Sequence, residues 1–347
     1  MRGQTSSAGL QASNVVQERS SGFTPLTIRV ALGHWLHWLR ASRGDVVFRG
    51  IVSLCALSSV AIVVGLVVVL LEQSSLSIRT FGLAFLVTDV WDPVKQVFGI
   101  RNFILGTLLV GILALAVAGV TGVLVAVYLS EFAPRPVREP LMFLIELLAF
   151  IPSVVYGLVG LLVLTPWLSL SGEPWLGKHF GFLPFLFRGP SFGVGILAAI
   201  TVLAVMLLPI IVALTREALI AVPNDQREAL FALGATRWEV VREAVIPYAR
   251  PGVVGAMILA LGRALGETIA VAMTIGGSYR LPTSLFDQGY TIASVIANEF
   301  TEVSSQLYLS ALIEAGLVLF VLTATMNVLS QYSVRTWVKR RGTGPSI

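Results

Sequence analysis

The sequence predicts an all-α integral membrane protein with six transmembrane helices, and three observations carry that prediction. Hydrophobic residues make up 56% of the chain and charged ones 12%, about half the charged share of an ordinary soluble domain. Six stretches, near 50–71, 103–128, 141–165, 192–215, 252–275 and 308–331, are apolar over the length a helix needs to cross the hydrocarbon layer with its backbone satisfied internally. Arginine and lysine gather on one side of these stretches. Of the 24, seventeen fall in the N-terminal segment, the second-to-third connection, the fourth-to-fifth connection and the C-terminal tail. Six fall in the alternate connections, and one, Arg263, lies inside the fifth stretch. The asymmetry puts both termini and the fourth-to-fifth connection in the cytoplasm. A net charge of +5 is thereby accounted for as topology.

The elements follow in chain order. Residues 1–25 are polar and Ser-rich, without the apolar core of a signal peptide, and are expected to be disordered. Residues 26–49 read as an amphipathic helix on the inner membrane surface, with Trp35 and Trp38 beside His34, His37 and Arg40. His34 and His37 have no further ligands nearby, so a metal site is not expected there. A transmembrane domain then occupies 50–332, and a basic tail 333–347. The single cysteine, Cys55, excludes an intramolecular disulfide and a cysteine metal cluster, and is expected to pack within the first span. Pro152 in the third span and Pro209 in the fourth each delete a backbone donor, which favours kinks. Gly172 to His179 imitates the Gly-x4-Gly-Lys part of a phosphate loop, but His179 stands where Ser or Thr must hold magnesium, and no strand precedes it. It is expected to be a structured external loop.

Between the fourth and fifth spans lies a polar stretch, 216–250. Asp225 with Glu228, and Thr236 with Glu239, each have capping-box spacing, and Gly234 between them suits the left-handed position that closes a helix. The expected structure is helix, glycine break, helix. A DNA-binding helix-turn-helix is disfavoured by the membrane-spanning flanks and by five basic residues matched by five acidic ones. The stretch resembles the cytoplasmic coupling loop of permeases in ATP-binding-cassette importers. Glu228, Ala229, Gly234, Ile246 and Pro247 fall in register with that motif, while Leu230 and Ala244 depart from it. The resemblance implies the MetI-like, type I importer permease fold. It also implies that Glu228, Ala229, Gly234, Ala235, Trp238 and Pro247 form the surface that docks on a separate ATPase subunit.

Within the fifth span, Arg263 and Glu267 are four residues apart, which on one helix places them on one face. A charge in mid-membrane costs about 2.5–3.5 kcal/mol on insertion scales. Two readings explain the pair: a structural ion pair that locks permease subunits together, or an arginine that meets an anion in a water-filled pathway while Glu267 neutralises or releases it. Small residues at Ala256, Ala260, Gly262, Ala264 and Gly266 permit close helix approach. The run Leu261 to Gly276 is similar to the fifth-helix signature of phosphate-importer permeases of the PstC type. Trp91-Asp-Pro with Phe98-Gly99, and Ser284 to Phe300, match as well. This resemblance implies a translocation or gating role for Arg263, Glu267 and Thr268. Its implied partners are a second, PstA-like permease, a PstB-like ATPase dimer that carries the ATP and Mg, and an external PstS-like phosphate-binding protein. Membrane lipid and inorganic phosphate complete the list; no nucleic acid, no cofactor in this chain and no covalent chemistry are implied. The connection from Ser278 to Leu307, with Asp287, Tyr290, Glu299 and Glu302, either docks the binding protein or covers the span ends. A permease for another oxyanion (molybdate, tungstate or sulfate) and an ATP-independent secondary transporter are the alternatives.

Overall fold

The computed structural model describes the backbone of residues 25–340 apart from 184, 185 and 188, and the side chains of 44–332 with the same exceptions. Most of the polar N-terminal segment, the last seven residues, and the side chains of the expected surface helix, His34 and His37 among them, lie outside the described residues. The structure divides into two units, one ending at Leu66 and one beginning at Val67. In the first, a helix that starts at Pro25 continues without interruption past residue 49 into the first span. Its side chains from 44 to 66 are exposed, Cys55 included, so the cysteine expected to pack faces outward.

Six helices have the length and apolarity to cross a membrane: Gly44–Phe81, Arg101–Phe132, Ser153–Phe180, Ile196–Ile220, Arg237–Gly266 and Gln306–Tyr332. In the second unit the fourth is the hub, with 67% of its most apolar window buried against a third or less for the other spans. Its aliphatic residues Ile196, Leu203, Leu207 and Ile211 meet Val110, Ala114 and Ala118 of the second span and Ala260 and Ala264 of the fifth. Lipid is as apolar as leucine, so such contacts depend on close packing, and small residues on the facing helices make that packing possible. The fourth span runs unbroken through Pro209.

The end of the bundle carrying the connection between the first two spans has its own aromatic core. Trp91–Asp92 and Val97–Phe98 pair as a two-stranded hairpin, whose turn is held by Asp92 accepting from the Val94 and Lys95 amides at 3.0 Å. The Trp91 and Phe98 rings lie 4.9 Å apart and pack with Phe103, Tyr290 and Tyr308. At Gly106 a Cβ would sit 2.2 Å from the Tyr290 carbonyl oxygen, so only glycine admits this crossing.

Two spans differ from expectation. The helix Arg135–Phe150 ends at Ile151, and a new helix starts at Ser153, with Pro152 in the extended link. The expected kink is therefore a complete break, and the third span occupies 153–180 instead of 141–165. Gly172 to His179, expected to be a loop, continues that helix. Its Glu173 is fully buried and accepts from the Gly193 amide at 3.0 Å. The fifth span stops at Gly266, Glu267 is extended at φ −69° and ψ 129°, and a short helix, Ile269–Thr274, resumes beyond it.

Candidate functional site: a coupling element and a membrane cleft

The stretch between the fourth and fifth spans folds as the residues dictate. A helix covers Asn224–Ala232, and Gly234 follows at φ +83°, a conformation that costs any residue with a Cβ. The second helix opens on a complete capping box. Thr236 accepts from the Glu239 amide, and the Glu239 carboxylate accepts from the Thr236 amide at 2.7 Å. The first expected box is absent. Pro223 takes the N-cap position and places Asp225 one residue inside the helix, where no side-chain cap forms. The second half is not a separate helix but the beginning of the fifth span, which includes a π-helical turn at Val241–Val245. Pro247 follows one residue beyond Ile246; its missing N–H denies the usual partner to the Glu243 carbonyl, and the wider turn absorbs the mismatch.

Glu228, Ala229 and Trp238 are exposed on this element, together with Leu233 at 83% and Phe231. Ala235 and Pro247 are half-buried, and Ala235 packs toward Val222, Val240, Val241 and Val245. Arg227, given no role by the sequence, holds the first helix in place. Its guanidinium pairs with Glu131 at the end of the second span at 3.0 Å and donates to the Leu219 carbonyl at 2.9 Å and to the Val222 carbonyl. Both side chains of the pair are mostly buried, 17% and 15% exposed. They are 96 residues apart, and no local pattern links them.

Arg263 lies away from this element, in a cleft of roughly 620 Å³ between the fifth and sixth spans. Its polar lining is Arg263 with Asn327 and Gln331, set against Ile210 and Leu259. Glycines thin one wall: a Cβ at Gly255 would meet nothing within 4 Å, and one at Gly262 would approach the Asn327 carboxamide oxygen to 3.3 Å. Arg263 is exposed to this space, and no ion pair joins it to Glu267 among the described residues. The helix ends before Glu267, so the two do not share the helical face that their spacing predicted. Thr268, next along the break, donates its hydroxyl to the Gly266 carbonyl at 3.2 Å. Asn327 and Gln331 were not singled out from the sequence, although two amides four apart in an apolar span were a visible signal.

The connection before the sixth span turns one cluster of polar groups inward. Tyr279 donates to Glu299 at 2.6 Å, Tyr290 donates to the same oxygen at 3.4 Å, and the Tyr308 hydroxyl donates to the other. Asp287 accepts from the Thr283 amide at 2.7 Å and from the Ser284 amide at 2.9 Å. Of the four residues considered for docking, Tyr290 and Glu299 are buried and Glu302 is exposed.

Six spans with a helix–glycine–helix element between the fourth and fifth match what the resemblance to importer permeases predicts. Residues 118–339 match the family described as binding-protein-dependent transport system inner membrane component. The phosphate transport system permease protein PstC of Mesorhizobium japonicum is 40% identical over 86% of this chain and 92% of its own length. That of Haemophilus influenzae is 41% identical over 85% and 94%. A methionine transporter structure, MetNI in an inward-facing conformation, aligns with 71% of this chain and 99% of its own at a TM-score of 0.51 and 19% identity, which supports the MetI-like fold. The chain belongs to the binding-protein-dependent inner-membrane permeases, and within them to the PstC family of phosphate transport system permeases.

Proposed function

We propose that this chain is one of two permease halves in an ATP-driven importer of inorganic phosphate. Its partners in this reading are a PstA-like permease, a PstB-like ATPase dimer that binds ATP and Mg, and a PstS-like phosphate-binding protein. Both termini and the coupling element face the cytoplasm, in keeping with the arginine and lysine distribution. The exposed surface of Glu228, Ala229, Leu233 and Trp238 rests on the ATPase, so closure of that dimer pushes on Gly234 and Ala235. The push passes through Pro247 into the fifth span, because the second half of the element and that span are one helix. Arg263 then meets the anion in the cleft, with Glu267 and Thr268 at the helix break acting as the gate. The observation that carries this reading is Arg263 itself, a cation exposed in a membrane cleft with no paired carboxylate among the described residues. A charge kept in a membrane without a partner is retained for a pathway.

The test is phosphate uptake by the reconstituted complex carrying Arg263→Gln, with assembly and ATP hydrolysis followed in parallel. Loss of uptake with assembly and hydrolysis intact is the expected result; loss of assembly makes the residue structural, and unchanged uptake removes it from the pathway. The break at Glu267 is also the kind of interrupted helix that an ATP-independent carrier uses. Vesicles depleted of ATP but holding a proton gradient distinguish the two, because an importer stops.

A further inference from the structure

We infer that Asn327 and Gln331 of the sixth span are specificity-determining residues, which with Arg263 make the cleft select a partly protonated tetrahedral oxyanion over a fully ionised one. The inference rests on the reading of Arg263 as a pathway residue. The two carboxamides are one helical turn apart and line the same cleft as the guanidinium. No hydrogen bond to another described residue engages either of them. An amide in an apolar span is costly without a partner, and both lie within the sixth span, Gln306–Tyr332. Free donors and acceptors there point to a ligand that supplies both.

The chemistry of the lining limits that ligand. A guanidinium only donates, whereas a carboxamide both donates through its NH₂ and accepts through its oxygen. Inorganic phosphate near neutral pH retains at least one proton, so its ionised oxygens accept from Arg263 and the amide NH₂ groups while its P–OH donates to an amide oxygen. Sulfate and molybdate are fully ionised and offer only acceptors; in this cleft they leave the carboxamide oxygens unpaired, and a site built to accept a hydrogen bond rejects an analogue that cannot supply one. With no carboxylate in the lining, the single positive charge of Arg263 suits an anion of low charge. The binding protein chooses what arrives, and the cleft imposes a second check of the same chemistry.

The experiment uses the reconstituted complex with phosphate-loaded binding protein, comparing wild type with Asn327→Asp, Asn327→Leu, Gln331→Leu and Arg263→Gln, and checking assembly by co-purification. Asn327→Asp keeps the shape of the side chain against Gly262 but removes its donors and adds charge. Expected is a tenfold or greater loss of uptake at pH 7.5 with assembly and ATP hydrolysis intact. A residue that merely packs the helices would tolerate the isosteric change and leave uptake near the wild-type rate. Gln331 is exposed, so Gln331→Leu folds even if an Asn327 variant does not, and it too is expected to slow uptake several-fold. If Arg263→Gln abolishes uptake while the Asn327 and Gln331 variants transport at the wild-type rate, the inference is overturned and the pathway reading stands. If Arg263→Gln transports normally, both fall.

Discussion

Arg227 has four-sided support that no single neighbour explains: two backbone carbonyls of the fourth-span end, the Asn224 side chain and the Glu131 carboxylate. A charged group this enclosed is costly to leave half-partnered, at about 3–5 kcal/mol when one member of a buried pair is removed. Arg227→Ala and Glu131→Gln are therefore expected to destabilise the purified protein, and a double-mutant cycle on thermal unfolding in detergent should return a coupling of roughly 0.5–3 kcal/mol. A coupling near zero would dissolve the pair as a tether. Glu299 poses the same question with neutral donors. Glu299→Ala leaves three tyrosyl hydroxyls without their acceptor, at about 1–3 kcal/mol for each that stays buried and unpaired, and the melting temperature reports it. Burial, then the Glu299 carboxylate, push the Tyr279 hydroxyl far above its ordinary value. In the unfolded chain a tyrosine ionises near pH 10; above that pH the unfolded state loses a proton the folded state keeps, so stability falls as pH rises further. Tyr279→Phe should flatten that alkaline decline.

At the scale of elements, Gly234 separates two helices that must hold one angle if force is to cross from the coupling surface to the fifth span. Its φ of +83° is closed to β-branched residues at a cost of about 1–3 kcal/mol. Gly234→Val is expected to reduce ATP-dependent phosphate uptake while the complex still assembles, and Gly234→Asn, which tolerates left-handed backbone, should restore much of it. Equal loss from both substitutions would mean that the surface, and not the turn, is what fails. This turn and its Thr236 box were legible because every interaction in them is between near neighbours. Asp225 was misread by two positions: a proline at 223 competes for the cap, and spacing alone does not choose between them. The third span was misplaced for a different reason. Residues 141–150 are apolar enough to enter lipid, yet the extended link at Ile151 and Pro152 ends their helix, and hydropathy does not register such a break. Glu267 was lost in the same way, because its i,i+4 relation to Arg263 presumes a helix that stops one residue too soon.

The whole molecule joins these parts through long-range contacts that a single sequence does not reveal. Six spans, their order and the position of the helix–glycine–helix element could be read from apolar runs, charge and capping patterns. The cleft could not, because it brings Gly262 together with Asn327, 65 residues on, across two antiparallel helices. What remains open to test at this scale is orientation, since the two ends of the bundle are assigned opposite work. One end carries Glu131, Arg227 and the exposed surface of the coupling element; the other carries the hairpin at Trp91–Asp92 and the exposed Glu302. With Cys55→Ser removing the one native thiol, single cysteines at Ala232→Cys and Glu302→Cys place a label at each end on residues that are exposed. A membrane-impermeant maleimide added to intact cells should modify the Glu302→Cys protein and spare the Ala232→Cys protein, and inside-out vesicles should reverse the pattern. Six of the 24 basic residues on the predicted outer side against seventeen on the inner is the bias from which this orientation is predicted. The reverse labelling would place the coupling element outside, beyond reach of any cytoplasmic ATPase, and the importer mechanism would fail with it.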